Sequence, residues 1–326
     1  MNHPQNFSRR DFLRTSATLA LGVGALAAAP PARAALFGPR WPVTVRDAHL
    51  KATGDSNCWS AMQALGVDGL EVQVDENLVC PALQHPDRKY SLATEDDLKR
   101  LRDDFAKYNG KITAFCMANR LDERLEQEVE WTRKLAKAAE QLKVTAIRID
   151  LVPHNVGIGE YPQFAIKACK QLCDALAGTA VRLGIENHGR LTNYPIVLDR
   201  IFNGVNSPKL GLTLDVANLY WFGHPLDEIC GIVEKFASRV FHTHCKSIAY
   251  PEEKRNIRRA FGWEYAKYAA PLYEGDLDYA RVVQILRKAG YEGDLCLENE
   301  CLGRFPKEQH LEVLKKEVAF LKKLAK

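Results

Sequence analysis

Eight apolar runs recur along the chain, and the stretches between them repeat their apolar positions at helical spacing. The runs cover 43–46, 69–74, 112–117, 146–151, 181–186, 211–215, 240–244 and 294–298. Each is short and close to continuously apolar, as expected of strands covered on both faces. The stretches at 94–108, 126–141, 163–177, 225–236 and 277–288 read as amphipathic helices, and 308–324 closes the chain as the last helix. Eight strands alternating with helices predict an α/β fold, a closed (β/α)₈ barrel. A doubly wound open sheet is the architectural alternative. It normally carries a Gly-rich phosphate turn after its first strand, and this chain has none there.

Four of the runs end on a residue that can bind a metal. Glu186 ends VRLGIE, Asp215 ends LGLTLD, His244 lies in VFHTHCK and Glu298 ends DLCLE. The first three are 29 residues apart and the fourth follows 54 residues later. A spacing of this size is one strand plus one crossover helix, so each residue sits at the carboxyl end of a parallel strand. In a closed barrel those ends converge on the face where active sites form. A lone carboxylate at a strand end is commonly a helix N-cap, but caps on four strands need not converge. Two Glu, one Asp and one His make a hard, oxygen-rich set that suits one divalent ion, Mn²⁺, Mg²⁺ or Co²⁺.

Glu186 and Glu298 are the candidate acid/base pair. They are expected to flank a substrate, so that one removes a proton from carbon and the other returns it to a neighbouring carbon or the opposite face. The ion would bind the adjacent carbonyl and hydroxyl oxygens and stabilise the enediolate. Strand alternation adds further positions, since residues two apart share a face. His242 and Lys246 flank His244, His188 lies two beyond Glu186, and Glu300 two beyond Glu298. Lys246 could neutralise an enediolate oxygen and His188 could hydrogen-bond a sugar hydroxyl, whereas His242 reads as an imidazole of the barrel core. Glu71, Arg148 and Asp150 are candidates to point inward, Glu71 as a substrate contact. Trp221 and Phe222 either form a sugar-stacking wall or pack their loop. The connection from Lys246 to about residue 275 is the longest irregular one. It carries Lys254, Arg255, Arg258, Arg259, Phe261, Trp263, Tyr265 and Tyr268. A segment this long is a lid over a polar substrate, or a solvated helix whose basic face is packed by its aromatics.

The first residues change the picture of where the fold begins. Ser8-Arg9-Arg10-Asp11-Phe12-Leu13-Arg14 precedes a soft apolar stretch, TSATLALGVGALAAA, and then PPARA. This is the layout of a twin-arginine export signal spanning 1–34. Residues 35–326 then form a single catalytic domain, somewhat longer than the ~250 residues usual for such a barrel. The expected location is periplasmic after cleavage, with the export machinery as a partner and no stable membrane span. An uncleaved signal would leave a membrane anchor. The formal net charge of +4 includes Arg9, Arg10, Arg14 and Arg33, so the mature chain is near neutral and carries no charge signature of nucleic-acid binding. Nine cysteines, without a C-x-x-C pair, lie mostly in apolar runs and read as small buried hydrophobes. Whether the chain forms a homo-oligomer stays open.

With these residues in view, the chain resembles the sugar phosphate isomerase/epimerase, or xylose isomerase-like TIM-barrel, superfamily. The resemblance is carried by GVDGLE (66–71), IENHG (185–189), LDVAN (214–218), HTHCK (242–246), EGDLDY (274–279) and GYEGDLCLE (290–298). It covers nearly all of the mature chain. It implies a barrel in which Glu186, Asp215, His244 and Glu298 bind one divalent metal and the two Glu exchange the substrate proton. It also places Asn218 among the substrate contacts. Ketose 3-epimerases of the superfamily carry a His where this chain has Asn218, a Glu at Thr192 and an Arg at Tyr250. These departures point away from free fructose-like ketoses. The Asn-His-Gly and His-x-Lys patterns look closer to hydroxypyruvate isomerase-like and inosose dehydratase-like members. Endonuclease IV, also in the superfamily, needs several further His that are missing here. The expected activity is thus isomerisation or epimerisation of a sugar or keto-sugar through a metal-bound enediolate. A lyase or dehydratase acting on a keto-sugar or 3-keto-glycoside is the runner-up, and a silent sugar-binding barrel the third reading.

Overall fold

Each predicted run forms a strand in the computed structural model, which describes residues 40–326. The export signal predicted for 1–34 lies outside the described residues. Seven barrel strands precede the long excursion: β1 (Val43–Arg46), β2 (Gly69–Gln73), β3 (Ile112–Cys116), β4 (Ala146–Ile149), β5 (Arg182–Glu186), β6 (Leu210–Asp215) and β7 (Val240–His244). The excursion holds β8 (Ser247–Ile248) and β9 (Ala269–Ala270), and β10 (Leu295–Leu297) is the eighth barrel strand. The eight lie in the order β10-β1-β2-β3-β4-β5-β6-β7, every named pair parallel. Between β7 and β10 the ring is completed by one bridge, Cys245 to Leu297. There the Cys245 N–H donates to Cys296 at 2.7 Å and the Glu298 N–H to Cys245 at 3.0 Å. The barrel reading holds and the open-sheet alternative does not.

Helices wrap the ring: α1 (Cys58–Leu65), α2 (Glu95–Lys107), α3 (Leu121–Leu142), α4 (Tyr161–Ala175), α5 (Pro195–Val205), α6 (Val216–Phe222), α7 (Leu226–Phe236), α8 (Glu252–Arg255), α9 (Tyr265–Tyr268), α10 (Tyr279–Lys288) and α11 (His310–Leu324). Local chemistry starts several of them. Thr94 Oγ1 accepts the Asp97 N–H at the head of α2, with Glu95, Asp96 and Asp97 in its first turn, where acidic groups meet the positive end of the helix dipole. Asn57, Asp215 and Asp278 cap α1, α6 and α10 in the same way. The barrel interior is apolar between the strands and the helices, and polar along the axis.

The excursion 246–275 is more ordered than its sequence suggested. Ser247–Ile248 pairs antiparallel with Ala269–Ala270, so the segment leaves and returns through a two-residue ladder. Its basic residues all have partners. Arg255 lies 3.1 Å from Asp276 and Arg258 3.1 Å from Glu228, while Lys254 lies over the Trp263 ring. Arg259 is buried, sandwiched by Tyr220 and Tyr250 at 4.3 and 4.4 Å, and donates to the carbonyls of Tyr220 and His224. At Gly223, φ is +110°, and a Cβ would collide with the Arg259 carbonyl. Glycine is required there on both grounds.

Candidate metal centre

Glu186, Asp215 and His244 are the last residues of β5, β6 and β7, and Glu298 follows β10. Asp215 and His244 stand side by side in the parallel register. Each of the four offers one ligand atom, and these atoms all lie within 4.8 Å of one another. All four side chains are buried. The spacing that singled them out therefore corresponds to real convergence.

Each ligand is held from behind. His244 Nε2 donates to Glu71 Oε2 at 2.5 Å, which turns Nδ1 toward the centre. Nδ1 lies 3.4 Å from Glu186 Oε1 and 3.3 Å from Glu298 Oε2. A carboxylate that fixes the tautomer of a ligating imidazole is the usual outer support of a metal site. The two Glu are arranged alike. Arg148 on β4 donates twice to Glu186 Oε2, and Arg46 on β1 donates to Glu298 Oε1. In each case the other oxygen faces His244. Burial alone would raise both carboxyls, but Arg148 and His244 around Glu186, and Lys246 and His244 around Glu298, hold them below the usual range. Asp215 differs. Burial pushes its carboxyl up to about 7 although Lys246 pulls the other way.

Two buried polar atoms in this cluster have no hydrogen-bond partner: His244 Nδ1 and Asp215 Oδ2. Asp215 Oδ1 is occupied by the N–H of Asn218, where it caps α6. The carboxylate is thus both a cap and a candidate ligand, one oxygen for each task. An imidazole nitrogen and a carboxylate oxygen with no hydrogen bond, in residues 0% exposed, converge with two further carboxylates on a centre whose only close cation is the Lys246 ammonium, 2.9 Å from Asp215 Oδ2. This donor set fits a hard divalent cation.

The substrate residues named from sequence are placed unevenly. Lys246 is buried beside the cluster, with Nζ 2.9 Å from Glu298 Oε2 and 2.6 Å from Glu300 Oε1. His188 is half-exposed, 3.4 Å from Asp150, whose carboxylate raises its pKa. Asn218 donates to Glu186 Oε1 at 3.1 Å, so it touches a ligand. Glu71, expected to meet the substrate, is buried beneath His244 and pairs with it, with His242 and with Arg46. Trp221 packs against Phe261 and Tyr265, with ring centroids 4.3 and 6.3 Å away. Thr192 bonds back to the His188 carbonyl, and Tyr250 is buried in the excursion. Those two positions serve local structure. Sequence reasoning overlooked Arg46. It ends β1 opposite Glu71 in register, so reading every strand end, and not only the acidic ones, would have found it. It also left Tyr265 without a role. That hydroxyl donates to Glu300 Oε2 at 2.5 Å.

A second polar layer lies deeper. His242, read as a core imidazole, donates to Asp294 Oδ1 at 2.7 Å and to Glu71 Oε2 at 2.5 Å. Asp294 Oδ2 accepts from Thr44 and Thr113 at 2.5 and 2.6 Å. Burial would lower the His242 pKa, but Asp294 and Glu71 raise it well above the usual value.

Known proteins share this architecture. A xylose isomerase-like barrel protein from Mycobacterium smegmatis, solved in complex with magnesium, matches at 16% identity and TM-score 0.58, over 85% of this chain and 98% of its own. D-allulose 3-epimerase from Methylomonas sp., in complex with D-allulose, matches at 15% and 0.60, over 88% and 98%. The probable 3-DHS dehydratase AsbF from Bacillus anthracis matches at 16% and 0.58, over 86% and 98%. Identities this low speak for the fold alone. No curated protein matches the chain. The model of one family, described as xylose isomerase-like TIM barrel, matches residues 59–324, and the chain belongs to that family.

Proposed function

We propose that this chain is a divalent-metal-dependent isomerase or epimerase of a sugar or keto-sugar. The observation that carries the reading is the set of four convergent donors, in which His244 Nδ1 and Asp215 Oδ2 make no hydrogen bond and Asp215 Oδ2 is balanced only by the charge of Lys246. Glu186, Asp215, His244 and Glu298 would hold the ion. When bound, it supplies Lewis-acid polarisation of a carbonyl and its neighbouring hydroxyl, which acidifies the carbon-bound proton between them. Glu298 and Glu186 move that proton. Each has one oxygen pinned by an arginine and the other facing inward, so each presents a single oriented base. One takes the proton from carbon and the other delivers a proton to the adjacent carbon or the opposite face. Lys246 balances the negative charge that builds on the substrate oxygen, and His188 holds a hydroxyl at the mouth. Glu71 and Asn218 orient ligands.

Lyase chemistry is the second reading, favoured by Tyr265. Its hydroxyl sits on Glu300, beside Lys246, where it could protonate a departing group. Proton NMR of the Mn²⁺- or Mg²⁺-loaded protein in D₂O separates the two, with ketoses, hydroxypyruvate and 3-keto-glycosides as the panel. Deuterium entering beside the carbonyl with an isomer formed supports the isomerase. Exchange with loss of water or an aglycone supports the lyase. No exchange across the panel counts against both.

We also propose that residues 1–34 are a twin-arginine signal and that the enzyme acts in the periplasm, its metal loaded during cytoplasmic folding. The support is the Arg9-Arg10 motif with its soft apolar stretch. Among the described residues no helix is long and apolar enough to cross a membrane. Arg9→Lys with Arg10→Lys should trap the precursor in the cytoplasm, and normal export would overturn the reading.

A further inference from the structure

Lys246 stands closer to the candidate metal ligands than a substrate-binding role requires. Its Nζ is 2.9 Å from Asp215 Oδ2 and 2.9 Å from Glu298 Oε2, and both residues belong to the four-donor set. Asp215 Oδ2 makes no hydrogen bond with it, so this contact is one of charge alone. The third partner, Glu300 Oε1 at 2.6 Å, lies outside the donor set. Glu300 is itself anchored, because its other oxygen accepts from Tyr265. An ammonium and a divalent ion cannot both sit tightly on the same pair of buried oxygens, since their mutual repulsion is strong where water is excluded.

We propose that Lys246 is a built-in competitor of the metal. It neutralises Asp215 and Glu298 when the ion is away, and the Glu300–Tyr265 pair receives it when the ion binds. The inference rests on the metal reading above and adds a second task for Lys246, setting how tightly the ion is held. Two substitutions then act in opposite directions. Lys246→Met removes the competitor and leaves the acidic cluster unbalanced, which favours the ion. Glu300→Gln removes the receiving charge, keeps Lys246 on the ligands and disfavours the ion. Tyr265→Phe loosens Glu300 and does the same more weakly.

The test is Mn²⁺ affinity of the full chain, measured by competition with a fluorescent chelator, with thermal melts of the stripped and loaded forms. Lys246→Met should bind Mn²⁺ roughly tenfold or more tightly than the native chain. Its stripped form should melt lower, and loading should restore more of the loss than in the native chain. Glu300→Gln should bind several-fold more weakly, and it tests the idea even if Lys246→Met does not fold. Equal or weaker binding by a folded Lys246→Met, or unchanged binding by Glu300→Gln, overturns the proposal. A native chain that binds no Mn²⁺ overturns the metal reading itself.

Discussion

Two acid–imidazole clusters are stacked along the barrel axis, built from the same residue types and equally buried, yet they differ in how completely they are satisfied. In the deeper one, both nitrogens of His242 donate to carboxylates, and Asp294 is filled by His242, Thr44 and Thr113. In the upper one, His244 Nδ1 and Asp215 Oδ2 make no hydrogen bond, and Asp215 Oδ2 has only the Lys246 charge beside it. Both layers contain three-residue or larger groups with metal-ligand spacing, so residue type and proximity do not separate them. Unmet hydrogen-bonding capacity does. A satisfied cluster is a structural network, and an unsatisfied one asks for a ligand. Glu71 joins the two, accepting from both histidines through one oxygen, while its other oxygen makes no hydrogen bond and lies 3.1 Å from Arg46 Nε.

The largest effect expected from this contrast is on turnover. Glu298→Gln should lower it by about 10³-fold while circular dichroism stays native, and unchanged turnover would remove Glu298 from the chemistry. Asp215→Ala should strip the metal, read by elemental analysis of the purified protein, and full occupancy in that variant would dissolve the ligand set. Asp294→Ala is the mirror experiment in the deeper layer. It strips His242 Nδ1 and Thr44 of their carboxylate partner and should cost about 3–5 kcal/mol of stability, with Mn²⁺ affinity close to native. A large loss of affinity with little loss of stability would erase the distinction between the layers. Glu71→Gln should show both effects in reduced form, weakening metal binding about 10–100-fold.

The smallest effect concerns a buried carboxyl outside both layers. Glu317 on α11 is pushed up to about 7 by burial, against the hydrogen bonds from Asn299 and Leu272. Its pKa is raised in the folded chain, so its stabilising contribution is complete below the unfolded value near 4.5. It is lost as pH rises toward 7, an effect of about 3 kcal/mol. Denaturant midpoints should therefore fall across that window in the native chain and flatten in Glu317→Gln. A native slope retained in the variant would assign it to other groups.

The strands and four donors were legible because a barrel strand buried on both faces writes itself as an apolar run, and an acidic residue or His at its end breaks the run. The runs were read a residue or two long at 69–74, 112–117 and 146–151, since pairing stops before apolarity does. What stayed hidden depends on contacts distant in sequence. Arg46 is an ordinary arginine until β10 brings Glu298 beside it. The excursion looked irregular because its ladder has only two residues per strand and its anchor, Arg259, works through Tyr220 and His224. Helices α1, α5 and α6 were not anticipated. The last is seven residues long, and Asp215 had already been read as a ligand rather than as a cap.

The single bridge that joins β7 to β10 has a mechanical consequence. His244 and Lys246 lie on one side of this joint and Glu298 on the other, and the Cys245 and Glu298 amides are the stitches. An ion gripping His244 and Glu298 would fasten the ring like a buckle across its thinnest seam. Those two amides should then exchange with deuterium faster in the stripped protein than in the loaded one, making the seam a local gauge of whether the barrel is clasped.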